Sequence, residues 1–480
     1  MTAPRSPRSP RPGPTSAPGY RAALEALFAR RRFGLRPGLE VVRTLLTELG
    51  DPERELPAIH ITGSKGKGSV ATMAAAVLSA HGVRTGLFTS PHLASYRERA
   101  RLDGREIGTD DVVRGIARVE EAASRLARQG AIDRDPTFFE VTTALALDWF
   151  AREGAEAAVI EVGIGGRLDA TNVLASRVGV VTTVELEHTD LLGSTVEAIA
   201  TEKAGIFHAG MRGILGDLPA DAASAVARVA RQHGVALWSL GRELRAERTA
   251  LEPDGQTFDL HGPGFDLAGL TIPLLGSFQV GNAALAVAAC ADFLEAGGGS
   301  LEAEAVRRAL AHVQIPGRLQ RVARDPELLY DVAHTPGSAR AIAASVAEIA
   351  PFADPTASAI VFGCLQGKDA GGILDALSPL ASNLVVVPVR SERAMPLGDL
   401  RAAAAGRFSR IVVAPNASTG LRVARAATGP DGVTLVIGSD YLIGELLRGP
   451  EAADEPDLSD PGHGPRPEAQ RPARPRSGAT

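Results

Sequence analysis

The chain has 480 residues, 45% of them hydrophobic, and a formal net charge of −5. That length predicts two or three domains, and the acidic balance argues against a general nucleic-acid-binding role. No apolar run reaches the roughly 18 residues of a membrane span, no apolar stretch follows the basic N-terminus as a signal peptide would require, and two cysteines, Cys290 and Cys364, cannot build a disulfide framework, so a reduced cytoplasmic setting is expected.

Residues 1–18 are rich in Pro, Ser and Arg and read as a disordered tail. Helices are predicted over Tyr20–Arg31 and Gly38–Leu49. Pro57–Thr62 read as a short apolar strand and Val70–His81 as an Ala-rich helix, with GSKGKGS, residues 63–69, between them. A strand, a Gly-rich turn and a helix together make a phosphate cradle. Glycines let the backbone approach, free N–H groups point at the phosphates, and the helix N-terminus adds positive partial charge. Lys67 is placed to neutralise phosphate charge and the Ser69 hydroxyl to meet Mg2+. A glycine stands between the lysine and the serine, unlike the common phosphate loop, so a flexible strand-to-helix turn is the alternative.

Arg84–Thr89 suggest another strand, ended by Ser90-Pro91-His92 because proline cannot continue a ladder. RERARLDGREI is a polar loop or hairpin, and helices follow over Thr109–Gln129 and Thr137–Glu153. Ala157–Val162 and Val178–Val184 are buried strands. Short apolar strands alternating with helices indicate a mostly parallel, doubly wound sheet. Ligands bind at the carboxyl ends of such strands, where Gly63–Ser69, Ser90–His92, Glu161–Asp169 and Glu185–Asp190 fall. Glycines 297–299 mark a linker region, and Pro316-Gly317-Arg318 opens a second α/β segment with strands at Leu328–Asp331, Ala359–Phe362, Leu384–Val389, Ile411–Ala414 and Val433–Ile437. The expected architecture is an α/β, P-loop-containing N-terminal ATPase domain over 19–298 and a smaller Rossmann-like α/β domain over 299–450. A second disordered tail is expected over 451–480.

Of the 51 lysines and arginines only four are lysines: Lys65, Lys67, Lys203 and Lys368. Where arginine is used almost everywhere, a surviving lysine marks a site that needs a compact ammonium or an amine able to lose its proton. Glu161 ends a buried strand before a Gly-rich turn; it is either a Mg2+ ligand beside the phosphates or a strand-end carboxylate bonded to the turn. His188 follows the next strand, between acids. Lys203 ends a helix that begins near Ser194, where a lysine is ordinarily a partner of the helix dipole. Arg318, Asp331 and His334 sit near strand ends of the second segment and could clamp phosphate and ribose. Asn282 opens a helix that could present an amide to a base.

The set ITGSKGKGS, FTSPHLASYRERARLDG, TFFEVTTALAL, VIEVGIGGRLDATNV, LEHTDLLGSTVEAIATEKAGI, GSFQVGNAALA, PGRLQRV, YDVAHTPGSA and VFGCLQGKD runs in order over most of residues 20–450. It resembles the folylpolyglutamate synthase/dihydrofolate synthase branch of the Mur ligase superfamily. The resemblance implies a Mur-ligase-like central ATP-binding domain and C-terminal domain, and a ligase that phosphorylates a carboxylate with ATP before glutamate attacks. It implies that Gly63, Ser64, Lys65, Gly66, Lys67, Gly68 and Ser69 hold the ATP phosphates, with Lys67 on the β/γ oxygens. Ser69 and Glu161 would ligate one Mg2+ and His188 a second, and Lys203 matches the lysine that becomes carbamylated and then binds metal. Asn282 would meet the adenine, while Arg318, Asp331 and His334 would bind ribose and phosphates. Asp169 lies at the pterin-facing position, with Phe138 and Phe139 as walls. The implied partners are small molecules alone, dihydropteroate or tetrahydrofolate, L-glutamate and ATP, with neither nucleic acid nor membrane, and a monomer is expected.

Two positions depart from the family pattern. Lys65 stands where TNGKGS has Asn, and Thr335 where AHNP has Asn. Both leave the acid substrate open. A superfamily ligase for a different carboxylate, and an ATP-binding regulatory protein without ligase activity, are the competing readings.

Overall fold

The computed structural model describes residues 18–30, 34, 36–351, 353–448 and 455. The predicted tails 1–18 and 451–480 lie outside these residues except at Pro18 and Glu455. Glu455 is buried and accepts hydrogen bonds from the Tyr20 and Ser95 hydroxyls and from the Tyr96 N–H, so at that residue the C-terminal stretch returns to the first domain.

Among the described residues the first sheet holds β1 (Ala58–Thr62), β2 (Thr85–Phe88), β3 (Ala100–Leu102), β4 (Arg105–Glu106), β5 (Ala157–Glu161), β6 (Ser176–Val181), β7 (Arg212–Leu215) and β8 (Ala236–Ser239). The order is β4-β3-β2-β5-β1-β6-β7-β8. From β2 to β8 every pairing is parallel, and β3–β4 is an antiparallel hairpin. The polar stretch after Pro91 is therefore a hairpin. β1 lies between β5 and β6, so its carboxyl end opens at the centre of the sheet edge.

Side chains alternate across a strand. Ile59 and Ile61 enter a core with Val70, Met73 and Val77 of the helix Lys67–Ala80 and with the helix Phe278–Ala296. Ala58, Phe88 and Ile160 enter a second core under the helices Thr109–Gln129 and Phe138–Arg152. Helices cover both faces, as a doubly wound sheet requires.

Strands β7 and β8 lie beyond the predicted ones, and so does a whole second sheet. β9 (Arg245–Glu252), β10 (Gly255–Gly262) and β11 (Phe265–Ile272) form an antiparallel sheet whose Phe258, Leu260 and Leu270 cap the first core. β9 reads RAERTALE, too polar on both faces to give a strand signal. The core also continues past the 297–299 glycines, because Val306 and Leu310 of the helix Ala303–Ala311 belong to it. The change of domain falls nearer Gly317.

The second domain has β12 (Gln320–Ala323), β13 (Glu327–Tyr330), β14 (Ala359–Phe362), β15 (Asn383–Val386), β16 (Arg410–Val413) and β17 (Val433–Ile437), ordered β12-β13-β17-β14-β15-β16. Only β12 runs antiparallel. No helix among the described residues is long and apolar enough to cross a membrane.

The domains meet closely at Leu93. A Cβ added to Gly444, in the helix Asp440–Leu447, would lie 2.2 Å from the Leu93 carbonyl oxygen. Alanine is otherwise favoured over glycine inside a helix by about 1 kcal/mol, but a backbone oxygen at that distance cannot yield. Gly444→Ala is expected to part the domains and raise the radius of gyration in small-angle X-ray scattering, with the thermal transition retained. Unchanged dimensions would show that the seam absorbs the methyl group.

Candidate active site

The phosphate loop is strapped to the end of β6. Gly63 has φ +146°, and an added Cβ would lie 1.9 Å from Thr182 Oγ1. Ser64 N–H donates to the Thr183 carbonyl at 2.8 Å and Lys65 N–H to Thr183 Oγ1 at 2.8 Å, while the Thr182 hydroxyl donates to the Lys65 carbonyl. The loop then turns at Gly66, φ +85°, where an added Cβ would sit 2.6 Å from Asn282 Oδ1. Gly66 has no side chain with which to cap the following helix, whose first-turn N–H groups lack intrahelical acceptors. Lys67 Nζ folds back to the Gly63 carbonyl at 3.0 Å.

Glu161 ends β5 beside this loop. Its Oε2 accepts from Ser90 N–H at 2.9 Å and would lie 3.4 Å from a Cβ on Gly68. Burial raises its pKa, opposed by Lys67, the Ser90 N–H and Arg318. Ser69 is buried in the first turn of the helix.

Next to the loop is a carboxylate that sequence reasoning did not single out. Glu187 Oε1 accepts from Lys203 Nζ at 3.0 Å, and Oε2 lies 3.5 Å from Lys65 Nζ. Burial alone would raise its pKa, but Lys203, Lys67 and Lys65 outweigh that and hold it at about 2. Lys203 is fully buried, and burial brings it down to about 8 despite Glu187, with Lys67 pushing the same way. It is fixed there because the helix Val196–Ala204, capped by Thr195, ends under the 163–167 loop. A Cβ on Gly166 would meet the Lys203 carbonyl at 2.6 Å, and Arg167 N–H donates to the Glu202 carbonyl.

The second domain adds its own groups across the cleft. Asp331 accepts from Leu319 N–H at 2.7 Å and Ala333 N–H at 2.6 Å; burial raises it to about 6 against the pull of Arg318. Arg318 thus acts on Glu161 and Asp331, one acid from each domain. His334 Nδ1 lies 3.0 Å from the Val332 carbonyl and 3.7 Å from Asp440; burial depresses it, helped by Lys368 and Lys65. Lys368 is depressed by burial and by Lys65, with Asp440 and Glu187 opposing. Three of the chain's four lysines thus act on Glu187, and the fourth, Lys368, feels Lys65.

Residues 61–290 match the Mur ligase middle domain, and residues 317–440 match the Mur ligase glutamate ligase domain. A dihydrofolate synthase/folylpolyglutamate synthase of Mycobacterium tuberculosis is 35% identical over 422 residues, 82% of this chain and 84% of that protein. The chain belongs to the folylpolyglutamate synthase/dihydrofolate synthase family. A solved Mycobacterium tuberculosis folylpolyglutamate synthase complexed with ADP and AMPPCP superposes with a TM-score of 0.81 at 33% identity, covering 89% of this chain and 97% of that one. A longer Haloferax volcanii relative, whose name joins folylpolyglutamate synthase to dihydropteroate synthase, is also 35% identical. The match takes 89% of this chain but 50% of that protein, so the chain spans about half its length.

Not every residue expected of a folylpolyglutamate synthase relative stands where the resemblance put it. Gly63–Ser69, Glu161, Lys203, Arg318, Asp331 and His334 converge on the cleft. Asn282 faces the phosphate loop, its Nδ2 donating to Gln279 Oε1 at 2.9 Å. His188 follows Glu187 with φ +47°, and its carbonyl starts the short helix Thr189–Leu192. Asp169 is buried and organises its own loop: Oδ2 accepts from Ile164 N–H, and Oδ1 from the Thr171 N–H and hydroxyl. Phe139 packs where the missing side chain of Gly163 leaves room, 2.7 Å from an added Cβ. Phe138 lies instead inside an aromatic cluster, stacked on Phe28 at 5.3 Å with Arg99 over its ring at 5.2 Å.

The donor set suits one Mg2+. Among the described residues no three His, Cys, Asp or Glu side chains gather as a metal cage, but Mg2+ on a nucleotide needs only one or two carboxylates besides phosphate and water. Glu161 and Ser69 meet that need. Lys203 pairs as an ammonium with Glu187 at 3.0 Å, and an ammonium has no lone pair to offer a metal.

Glu187→Gln would leave Lys203 buried with its main partner gone. An expected loss of about 3 kcal/mol at pH 7 follows from breaking a buried pair on one side, read by urea denaturation. The folded pKa of Glu187 lies below the ordinary 4.5, so its stabilisation is complete above pH 4.5 and fades as pH falls toward 2. The variant is expected to lose stability less steeply than wild type across that window. An equal slope would contradict the pairing.

Proposed function

We propose that this chain is an ATP-dependent ligase joining L-glutamate to the carboxylate of a pteroate or folate, as a dihydrofolate synthase, a folylpolyglutamate synthase or both. The observation that carries the reading is the gathering of four scarce lysines and Arg318 around a phosphate loop in a cleft between two domains. Such a site suits a substrate with several negative charges held between two bodies. The names and nucleotide complexes of the family relatives point the same way.

In this reading the acid substrate's carboxylate takes the γ-phosphoryl group of ATP, giving ADP and an acyl phosphate. The glutamate amine attacks the acyl carbon, phosphate leaves, and the amine gives up a proton as the amide forms. Lys67 leaves the Gly63 carbonyl for the β/γ oxygens, and the N–H groups of the loop and first helical turn hold the phosphates. Ser69 and Glu161 would hold Mg2+, which when bound spreads the negative charge of the transferring phosphoryl group. Arg318, Asp331 and His334 bring the second domain over the nucleotide, and closure keeps water from the acyl phosphate.

Lys203 has the environment for carbamylation. A pKa brought down to about 8 leaves a fraction of neutral amine, which can add CO2 and release one proton to become an anion. That anion, with His188, would serve a second Mg2+. Asp169 and Phe139 would face the pteridine. The proposal includes a cytoplasmic monomer, in keeping with two buried free thiols, Cys290 and Cys364.

Phosphate release would be measured with ATP, Mg2+ and glutamate, adding dihydropteroate, tetrahydrofolate or neither. Release that depends on either pteridine is expected, and which one decides between the two activities. Lys203→Ala and Glu161→Ala are each expected to lower turnover by about a hundredfold or more, with a cooperative thermal transition kept in both but shifted down in Lys203→Ala, which breaks the buried pair with Glu187. Wild-type turnover in either variant would sink the site assignment, and release needing no acid substrate would sink the ligase reading.

A further inference from the structure

His60 sits in the middle of β1, is 1% exposed, and has no part in the ligase reading. Its Nε2 lies 2.8 Å from Thr171 Oγ1. The Thr171 hydroxyl donates to Asp169 Oδ1 at 2.6 Å, and the Thr171 N–H reaches the same oxygen at 3.0 Å. A hydroxyl has one proton, and a carboxylate can only accept it. The Thr171 oxygen must therefore accept from the ring, which fixes His60 as the Nε2–H tautomer. Burial, with His208 nearby, holds the His60 pKa at about 3, so the ring stays neutral.

Two residues on, the same face of β1 presents Thr62, whose hydroxyl donates to the Gly165 carbonyl. Thus the strand that ends in the phosphate loop is also joined at two points to the 163–172 loop. Thr62 fixes the glycine turn, and His60 fixes the acid that follows it. Asp169 Oδ2 lies 3.1 Å from the place of a Gly163 Cβ, next to Phe139, so a rotation of this carboxylate would change the wall that Phe139 and Gly163 make.

The geometry points to His60 as a positioning residue that acts through Thr171 to set the orientation of Asp169 toward the acid substrate. This rests on the reading that the 163–172 loop receives a pteridine acid. His60 itself touches no reacting atom. It supplies one N–H in a dry place, and removing it would let the Thr171 hydroxyl and Asp169 turn together.

The test uses the full chain with Thr171→Val, His60→Leu, the two combined, and His60→Gln. Thr171→Val and His60→Leu are each expected to raise KM for the pteridine acid about tenfold, as small misplacements do, with KM for ATP within about twofold. The double variant is expected to be no worse than either single one, because they break one chain of bonds. His60→Gln, which keeps a side-chain N–H, should recover most of the loss. Additive losses, or an equal rise in KM for ATP, would overturn the proposal. Nitrogen-15 NMR of the imidazole gives a readout independent of turnover. A protected Nε2–H in wild type that exchanges faster in Thr171→Val supports the relay, and an Nδ1–H tautomer overturns it. If wild type uses neither pteridine, the substrate reading fails, and the tautomer still decides whether His60 holds Thr171.

Discussion

Glu187 is the carboxylate that lets Lys65, Lys67 and Lys203 share one end of the cleft. Two like charges 4 Å apart repel by about 4 kcal/mol at an effective dielectric of 20, and burial removes the water that would soften this. Glu187 answers with one oxygen toward Lys203 and the other toward Lys65, while Lys67 is parked on a backbone carbonyl. One carboxylate cannot neutralise three ammonium groups. Glu161, on which Lys67 also acts, supplies a second carboxylate. Lys368 and Arg318 bring positive charge from the other domain, facing Glu187 and Asp440, and Glu161 and Asp331, respectively.

The sheet order turns this local chemistry into a site. With β1 between β5 and β6, the phosphate loop is flanked on one side by Glu161 and on the other by Thr182, Thr183 and Glu187. Each neighbouring strand end supplies a different group: β5 a buried carboxylate, β6 the hydroxyls and carbonyl that fix the loop backbone. Because β1 alternates, Ile59 and Ile61 serve the core while His60 and Thr62 serve the 163–172 loop. A slip of one residue in the β1 register would exchange these faces and lose both.

What the sequence showed and what it hid follow from the range of the interactions. The turn at 63–69 between β1 and its helix was legible because its glycines, lysines and serines are contiguous and lie between an apolar strand and an Ala-rich helix. The scarcity of lysine was legible by counting, and three of the four gather at one carboxylate. Glu187 was not, since its meaning comes from Lys203 on another element and Lys65 on a third; its position beside His188 at a strand end was the available signal. Thr182 and Thr183, two hydroxyls closing an apolar strand, were a similar signal passed over. The central strands of both α/β domains were readable as short apolar runs; β7, β8 and β12, four residues each and at or next to a sheet edge, did not stand out, and β9 to β11 are amphipathic or polar and find their apolar partners only in the fold. Phe138 and Phe139 are adjacent and alike in sequence, yet a helix turns neighbours to different sides, so one fills a core and the other reaches the loop.

Of the two departures from the family pattern, Thr335 caps the helix Pro336–Ile349, and Lys65 bears on the charges at the loop. Its backbone would be held by Thr182 and Thr183 whatever the side chain, so the loop itself does not require a lysine. What the ammonium adds is a second partner for Glu187, 3.5 Å away on the oxygen that Lys203 leaves free. Lys203 is a buried amine whose charge is already weakened by desolvation. Were it the sole partner, any loss of that charge would strand a carboxylate in a dry site, a cost that a buried acid cannot evade without taking up a proton. With Lys65 present, Glu187 keeps an ion pair through either state of Lys203, and the phosphate loop stays tied to the strand end that carries His188. An asparagine at this position could offer a hydrogen bond but no charge, so Oε2 of Glu187 would lose its ion pair and the carboxylate would rest on Lys203 and the more distant charge of Lys67.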